Sequence, residues 1–389
     1  MLAYSFYEMD NRVRRYAEAL AGRGHKVDAM ALGREGQVSF EVIRGVCVYR
    51  IQKRVRDEGG SFSYLIKLLI FFLRSAWVLA LRHLRARYDV IHVHSVPDFE
   101  VFATIVPRLM GARVILDIHD IVPEFYASKF KASEGSVAFR LLLLIEKLSA
   151  AYADHVIISN HLWRTKLAQR SVQPEKCTVI INYPDPSIFF PRPHRATSNG
   201  HFVMCYPGTL NWHQGVDLAV SAVSLLRDEV PHLKFLIIGE GPDRKRLETM
   251  VKEHSLEGRV VLIGSITIEQ VAETMASVDL GVVPKRKDSF GNEAFSTKIM
   301  EFMAMGVPVV VSNTRIDEYY FNERLVQFFE SDSAHDLAAK ILNLVHDSDK
   351  RSALCARGID FIQKHNWDVK KSEYLDLVNR LVERRGLNG

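Results

Sequence analysis

Cysteine is scarce and scattered in this 389-residue chain. The four residues, Cys47, Cys177, Cys205 and Cys355, form no CxxC pair and match no His cluster. A disulfide scaffold and a zinc site are excluded, and the thiols read as free and buried in a reducing compartment. Charge of one sign is also lacking. Fifty-one Lys and Arg against 46 Asp and Glu leave a net charge of +5, an excess that tolerates an anionic lipid or a phosphorylated substrate and requires neither. No apolar run reaches the ~20 clean residues of a simple membrane span. The longest, Tyr64 to Leu84, is interrupted by Lys67, Arg74 and Arg82. No secretory leader pattern is visible; the chain opens in the apolar run Leu2 to Phe6, and its start is read as missing a few natural residues. With 48% apolar and 25% charged residues the composition is globular, and the length suits two domains.

Short apolar runs alternate with helical patterns along the whole chain. In the first half the runs are Lys26–Leu32, Val46–Ile51, Asp89–His94, Arg113–Asp117, His155–Ser159 and Cys177–Ile181, with amphipathic stretches such as Val13–Ala21 and Ala138–Tyr152 between them. Continuous Val/Ile runs separated by helices predict parallel strands buried on both faces, the doubly wound α/β layout. Proline-rich and then polar sequence breaks this pattern at 185–200, predicting a linker after a first domain at 1–184. Alternation restarts at His201–Tyr206, Lys234–Gly239, Arg259–Ile263, Asp279–Pro284, Val307–Ser312 and Val326–Phe329, giving a second domain at 201–366. A helical tail at 367–389 is expected to return to the first domain. Ligands of such sheets bind beyond the carboxyl ends of the strands, so functional residues are expected in the loops that open the following helices.

The segment Asn292 to Ser312 is the richest in such chemistry. Ser296 or Thr297 suits the N-cap of a helix ending at Met305, and Gly306 its C′ position. Glu293 precedes this helix and Glu301 lies within it, three residues after Lys298 and on the same face. Free N–H groups, a lysine and a carboxylate at one helix start form a candidate site for a diphosphate and a ribose. Taken alone, two glutamates eight apart are ordinary surface charges.

The ordered set of motifs is more specific. Glu293-x7-Glu301 is followed by Met303-Ala304-x-Gly306-x-Pro308-Val309-Val310. Pro207-Gly208-Thr209 and Ile238-Gly239-Glu240-Gly241-Pro242 precede it in the second half. Arg12-Val13-Arg14-Arg15, Gly24-His25-Lys26-Val27, Asp89-Val90-Ile91-His92 and Asp117-Ile118-His119-Asp120 occupy the first. Over nearly its whole length the chain resembles the retaining GT-B glycosyltransferases of the family-four type. The resemblance implies two doubly wound domains facing a cleft, acceptor in the first and nucleotide-sugar in the second.

It implies that Glu293 contacts the donor sugar, Glu301 the ribose, and His119 the transferred sugar, with Glu293 and His119 as the catalytic pair. Phe295, Ser296, Thr297, Gly208, Thr209, Asn211 and Gln214 would line the donor, and Asp10, Asn11 and Asp120 the acceptor side. The family commonly carries an Arg after Gly208 and a Lys before Gly215, where this chain has Thr209 and Gln214. Lys298 is the first substitute cation, followed by Arg286, Lys285 and Arg12. Asp120 is a candidate to orient His119 or to cap the following turn.

The reaction implied is retaining transfer from a nucleotide-sugar, with a UDP-sugar favoured, to a glycan or lipid-linked glycan hydroxyl in polysaccharide assembly. Neither cofactor nor metal is expected. The lone DxD, Asp347-Ser348-Asp349, reads as a solvated loop between helices. The setting expected is cytoplasmic, at the inner face of the membrane, with no nucleic-acid partner. The alternatives are a GT-B phosphorylase, an epimerase, and a catalytically silent glycan- or partner-binding module. The stretch Phe62–Arg87 has two readings. One is an interfacial helix on anionic lipid. The other, favoured by the width of its apolar arc, is a core helix with one wet edge formed by Lys67, Arg74 and Arg85.

Overall fold

The computed structural model describes residues 1–54, 60–130, 133, 135–192 and 200–386, with side chains at 60–62, 129–130 and 384–386 left aside. The chain divides into two compact units, one comprising Met1–Asn182 and the residues from Lys371 onward, the other Tyr183–Lys370. Each is an α/β domain. Of the stretch expected as a linker, residues 193–199 lie outside the described residues.

In the first unit the order is β1 (Leu2–Phe6), α1 (Asn11–Ala21), β2 (Val27–Gly33), β3 (Phe40–Ile43), β4 (Val46–Lys53), α2 (Gly60–Arg85), β5 (Val90–His94), α3 (Ile105–Leu109), β6 (Arg113–Ile118), α4 (Val122–Phe130), α5 (Val137–Tyr152), β7 (His155–Ile158), α6 (His161–Arg170) and β8 (Cys177–Val179). The strands form one sheet in the order β3-β4-β2-β1-β5-β6-β7-β8. Pairing is parallel except between β3 and β4, whose register runs Phe40↔Tyr49 to Ile43↔Val46. The all-parallel expectation is thus corrected at this edge. β3 is short and mostly exposed, so it carries none of the buried run that marks the other strands.

The second unit runs β9 (Phe202–Pro207), α7 (Val216–Leu225), β10 (Leu233–Ile238), α8 (Arg244–Glu253), β11 (Val260–Ile263), α9 (Ile268–Ala276), β12 (Leu280–Val283), α10 (Thr297–Met305), β13 (Val309–Ser312), α11 (Arg315–Tyr320), β14 (Gln327–Phe329), α12 (Ala334–His346) and α13 (Ser348–Lys364). Its sheet, β11-β10-β9-β12-β13-β14, is parallel throughout the described pairs. Every residue of β9, β12 and β13 is buried. At about 1.5–3 kcal/mol for each fully buried aliphatic side chain, these runs supply much of the drive to form the layer. The last helix, α14 (Trp367–Gly386), joins the first unit from Lys371 on, where Tyr374 and Leu375 are buried. Asp347 of the lone DxD is the N-cap of α13, accepting from Lys350 N–H at 2.8 Å, a structural role beyond that of a solvated loop.

Candidate functional site

Two clusters form at the carboxyl ends of strands, one in each unit. In the second unit β9 ends at Pro207 and the chain turns through Gly208 and Thr209 to a 3-10 turn, Trp212–Gln214, and then α7. Two glycines are obligatory here. Gly208 has φ 150°, and a Cβ on it would lie 2.3 Å from Lys298 Cε. Gly215 has φ 64°, and its Cβ would meet the Pro284 carbonyl oxygen at 1.9 Å.

Lys298 therefore lies directly over the Gly208 backbone. Its Nζ is 3.5 Å from Gln214 Oε1 and 5.3 Å from the centroid of the Tyr206 ring. The Tyr206 hydroxyl lies 3.0 Å from both Gln214 Oε1 and the Thr209 carbonyl oxygen. Lys298 meets no carboxylate at ion-pair distance among the described residues. Burial lowers its ammonium to about 8, against the opposing pull of Glu301. α10 begins at Thr297 beside it, with Ser296 at the N-cap, buried and with no hydrogen-bond partner for its hydroxyl. Unpaired N–H groups, an unpartnered hydroxyl and an ammonium clear of carboxylates thus converge at one helix start.

The other cations weighed for that role are committed elsewhere. Lys285 is buried, 2.9 Å from Asp317 and 2.7 Å from the Ala294 carbonyl, so it fixes the loop leading into α10. Arg286 binds Asp217 at 2.5 Å and Asp332 at 2.6 Å, and stacks over Trp212. Glu293 is buried on that loop, and Arg315 Nη1 donates to its Oε1 at 3.1 Å. The Phe295 ring packs edge-on against Tyr320 at 4.9 Å, which turns the side chain into an aromatic cluster and leaves the backbone to meet a ligand. Asn211 is half-buried at the start of the 3-10 turn and Thr209 is exposed.

In the first unit Asp10 caps α1, accepting from Val13 N–H at 3.1 Å, with Asn11 opening the helix. Arg12 is buried. It donates to both oxygens of Asp117, at 2.8 and 2.7 Å, and to the Ile180 carbonyl at 2.9 Å. Each of its three nitrogens is engaged by a protein acceptor, which favours a structural role over the donor role expected from the sequence.

Asp117, at 3.3 Å from His119 Nε2, and not Asp120, holds the catalytic candidate. The same carboxylate is 3.2 Å from His94 Nδ1, which lies 3.1 Å from His119 Nε2. Burial works against the Asp117 charge, but Arg12 and His119 outweigh it and hold the carboxyl well below its ordinary value. Burial pushes His92 down to about 4 and His94 to about 3, so both are neutral near pH 7. Asp120 is raised by its burial. Tyr374 of α14 closes the cluster from behind, its hydroxyl 3.0 Å from His92 Nδ1.

Sequence reading placed His92 and Asp117 within motifs but gave neither a role, and it did not single out His94. The available signal was the alternation of His92 and His94 on β5, with His94 in register with Asp117 on β6. The side chains of His92, His94 and Asp117 bring their ligand atoms within 4.8 Å of one another, as a metal site would. Arg12 already engages both oxygens of that carboxylate, and a cation would sit against its charge.

These geometries coincide with two family models. Residues 9–182 match the glycosyl transferase 4-like domain and residues 191–360 match glycosyl transferases group 1. The chain belongs to the GT-B glycosyltransferases of the family-four type.

The chain is similar to a human phosphatidylinositol N-acetylglucosaminyltransferase subunit, 26% identical over 79% of the chain and 59% of that protein. It is also similar to the gpi3 subunit of the same enzyme in Schizosaccharomyces pombe, 23% identical over 78% of the chain and 62% of that protein. It thus spans about three fifths of the length of these relatives. Among solved structures it resembles a Thermosynechococcus elongatus sucrose-phosphate synthase at TM-score 0.79, with 19% identity over 98% of the chain and 99% of that structure. Anabaena HepE in complex with UDP and glucose follows at 0.74, with 15% identity over 97% and 98%. At these identities the structural likeness is one of fold.

If Lys298 is the phosphate cation, donor binding inherits its titration. An ammonium at about 8 is charged below that pH and is lost above it. UDP affinity measured by titration calorimetry is therefore expected to be level between pH 6.5 and 7.5 and to weaken by up to about tenfold per pH unit above 8. In Lys298→Arg the decline should vanish. A wild-type affinity flat to pH 9.5 would separate Lys298 from the phosphates.

Proposed function

We propose that this glycosyltransferase moves a hexose-type sugar from a UDP-sugar to a hydroxyl of a glycan or lipid-linked glycan with retention of anomeric configuration, at the cytoplasmic face of a membrane. The observation that carries the reading is the junction of Lys298, Gln214, the Gly208 backbone and the N-terminus of α10. A diphosphate leaving group needs fixed positive charge and N–H donors where its negative charge grows. Lys298 meets Gln214, the position where the family carries a lysine, so the charge enters from the helix instead of the loop. The departures at Thr209 and Gln214 are compensated on this reading, which removes the main support for a silent module. His119, steadied by Asp117, is assigned to the transferred sugar, and Glu293 to its hydroxyls. Similar proteins support the donor and acceptor classes: one solved neighbour holds UDP and glucose, and two relatives are subunits of a phosphatidylinositol N-acetylglucosaminyltransferase.

The test is UDP release from UDP-glucose and UDP-N-acetylglucosamine with glycan and lipid-linked acceptors, with the product anomer read by proton NMR. An inverted anomer would refute retention. The mechanism also routes no step through a metal, so turnover is expected to persist in excess EDTA. Complete loss, restored by Mg²⁺ or Mn²⁺, would overturn it.

A further inference from the structure

α2 has two opposed apolar faces. Phe71, Ser75, Leu79 and His83, four residues apart, are buried in the first unit. The opposite face is apolar as well and exposed, including Leu73, Trp77 and Leu84, with Trp77 at 68%. Only 22% of the most apolar window of this helix is buried, so the expectation of a core helix with one wet edge is corrected: half of its apolar arc lies uncovered.

The uncovered arc does not stand alone. α2 packs against α3 and the 3-10 segment Asp98–Thr104, and α5 packs against that same segment. Leu109 at the end of α3 is 83% exposed. On α5, Val137, Leu141, Leu144 and Leu148 repeat at helical spacing, and all four are exposed. Apolar surface this extensive is rare on a soluble face without a ligand or partner.

Among the described residues, the exposed charges on α2 and α5 themselves are basic. At 100° per residue Arg74 and Arg85 border the arc of α2, and Arg140 and Lys147 border that of α5; all four are exposed. No Asp or Glu occurs from Gly60 to Tyr88 or from Ile105 to Leu116. Among the described residues nearby, Asp98, Glu100 and Glu146 are buried, Glu146 against Arg170, Asp154 is half-buried and paired with Arg113, and Asp89 is exposed beyond the end of α2.

We infer that the exposed faces of α2, α3 and α5 form one docking surface that lies in the plane of an anionic lipid bilayer. Apolar side chains and Trp77 enter the headgroup–acyl boundary, and the basic border meets acidic headgroups. α2 does not cross the bilayer, because its other face is fastened to the sheet: Gln52 donates to the Lys67 carbonyl at 3.1 Å, and Arg82 pairs with Asp28 at 2.9 Å. A second copy is the poorer occupant, since a two-fold contact through this face sets arginine against arginine. The surface adjoins the His94–Asp117 cluster of the same unit. The buried 3-10 segment follows directly on β5 and His94, and its Phe99 packs edge-on against Phe72 of α2 at 6.0 Å. The inference stands on these side chains and does not depend on the transfer reaction proposed above.

The experiment is flotation of the full chain with phosphatidylcholine vesicles, with and without phosphatidylglycerol. Binding is expected only with phosphatidylglycerol, and brominated acyl chains should quench tryptophan emission. Trp77→Phe should keep binding and lose most of the quenching, since Trp163 and Trp367 are buried and the exposed Trp212 belongs to the second unit, outside this surface. The triple variant Leu73→Ser, Trp77→Ser, Leu84→Ser should bind roughly 100-fold more weakly at an unchanged melting temperature. If that variant fails to fold, Arg74→Glu with Arg85→Glu and Lys147→Glu gives the same reading through charge alone. Absence of vesicle binding by the wild type, or undiminished binding by the variants, would overturn the inference. So would a dimer or a protein complex, seen without lipid, that the triple variant abolishes.

Discussion

Lys298→Ala is expected to lower turnover by roughly 10²-fold or more, the usual cost of removing one preorganised charge from a developing anion. Folding should be unaffected, because Lys298 makes no ion pair among the described residues and its departure relieves the burial that lowers its ammonium. Gln214→Lys in the same chain should restore part of the activity. Gln214 Oε1 is 3.5 Å from Lys298 Nζ, so an ammonium carried on the 3-10 turn reaches the volume the helix ammonium vacates. Lys298→Arg should recover less, since a planar fork does not replace a point charge beside the Tyr206 ring. Steady-state kinetics on the three variants decide the matter. Near-normal turnover in Lys298→Ala would reject Lys298 as the phosphate cation.

The second large effect belongs to the other unit and is first a matter of stability. Asp117→Asn removes the counter-charge of a buried guanidinium while leaving Arg12 in place. Breaking one partner of such a pair costs about 3–5 kcal/mol, because a charge is left buried and unpaired. For a unit of this size the melting transition of the first domain should fall by on the order of 10 °C. Arg12→Met with Asp117→Leu, which removes both charges, should recover most of that loss. Activity should not return with it, since His119 has then lost the carboxylate 3.3 Å from its Nε2. Calorimetry of the single and double variants, read beside turnover, separates the two effects. Equal melting temperatures for Asp117→Asn and wild type would contradict a buried, structural ion pair.

Much of the fold is legible because buried parallel strands announce themselves: Val309-Val310-Val311 can only be covered on both sides, and the structure buries all three. The two ends of α10 are legible for a different reason, since Ser296 at its start and Gly306 and Pro308 past its end each restrict the backbone in a known way. β3 escaped because an exposed edge strand has no apolar run to show. Asp117 and its histidines escaped because their meeting depends on the register of two strands, which pairs His94 with Asp117, and on α1 bringing Arg12 across them. The exposure of α2 escaped for a related reason. Composition shows that a helix is apolar all round, but only its packing shows which side the domain covers.

The central claim is that the second unit binds a uridine diphosphate sugar at the Lys298–Gly208 junction, and a thermal-shift series against UDP-, GDP- and ADP-sugars tests it most directly. UDP-sugars at about 100 times their dissociation constant add ~2.7 kcal/mol to the native state by mass action. In a unit of this size that raises its melting temperature by about 5–10 °C, a shift that should be much reduced in Lys298→Ala. No response to any nucleotide-sugar, or an equal response in Lys298→Ala, would contradict it.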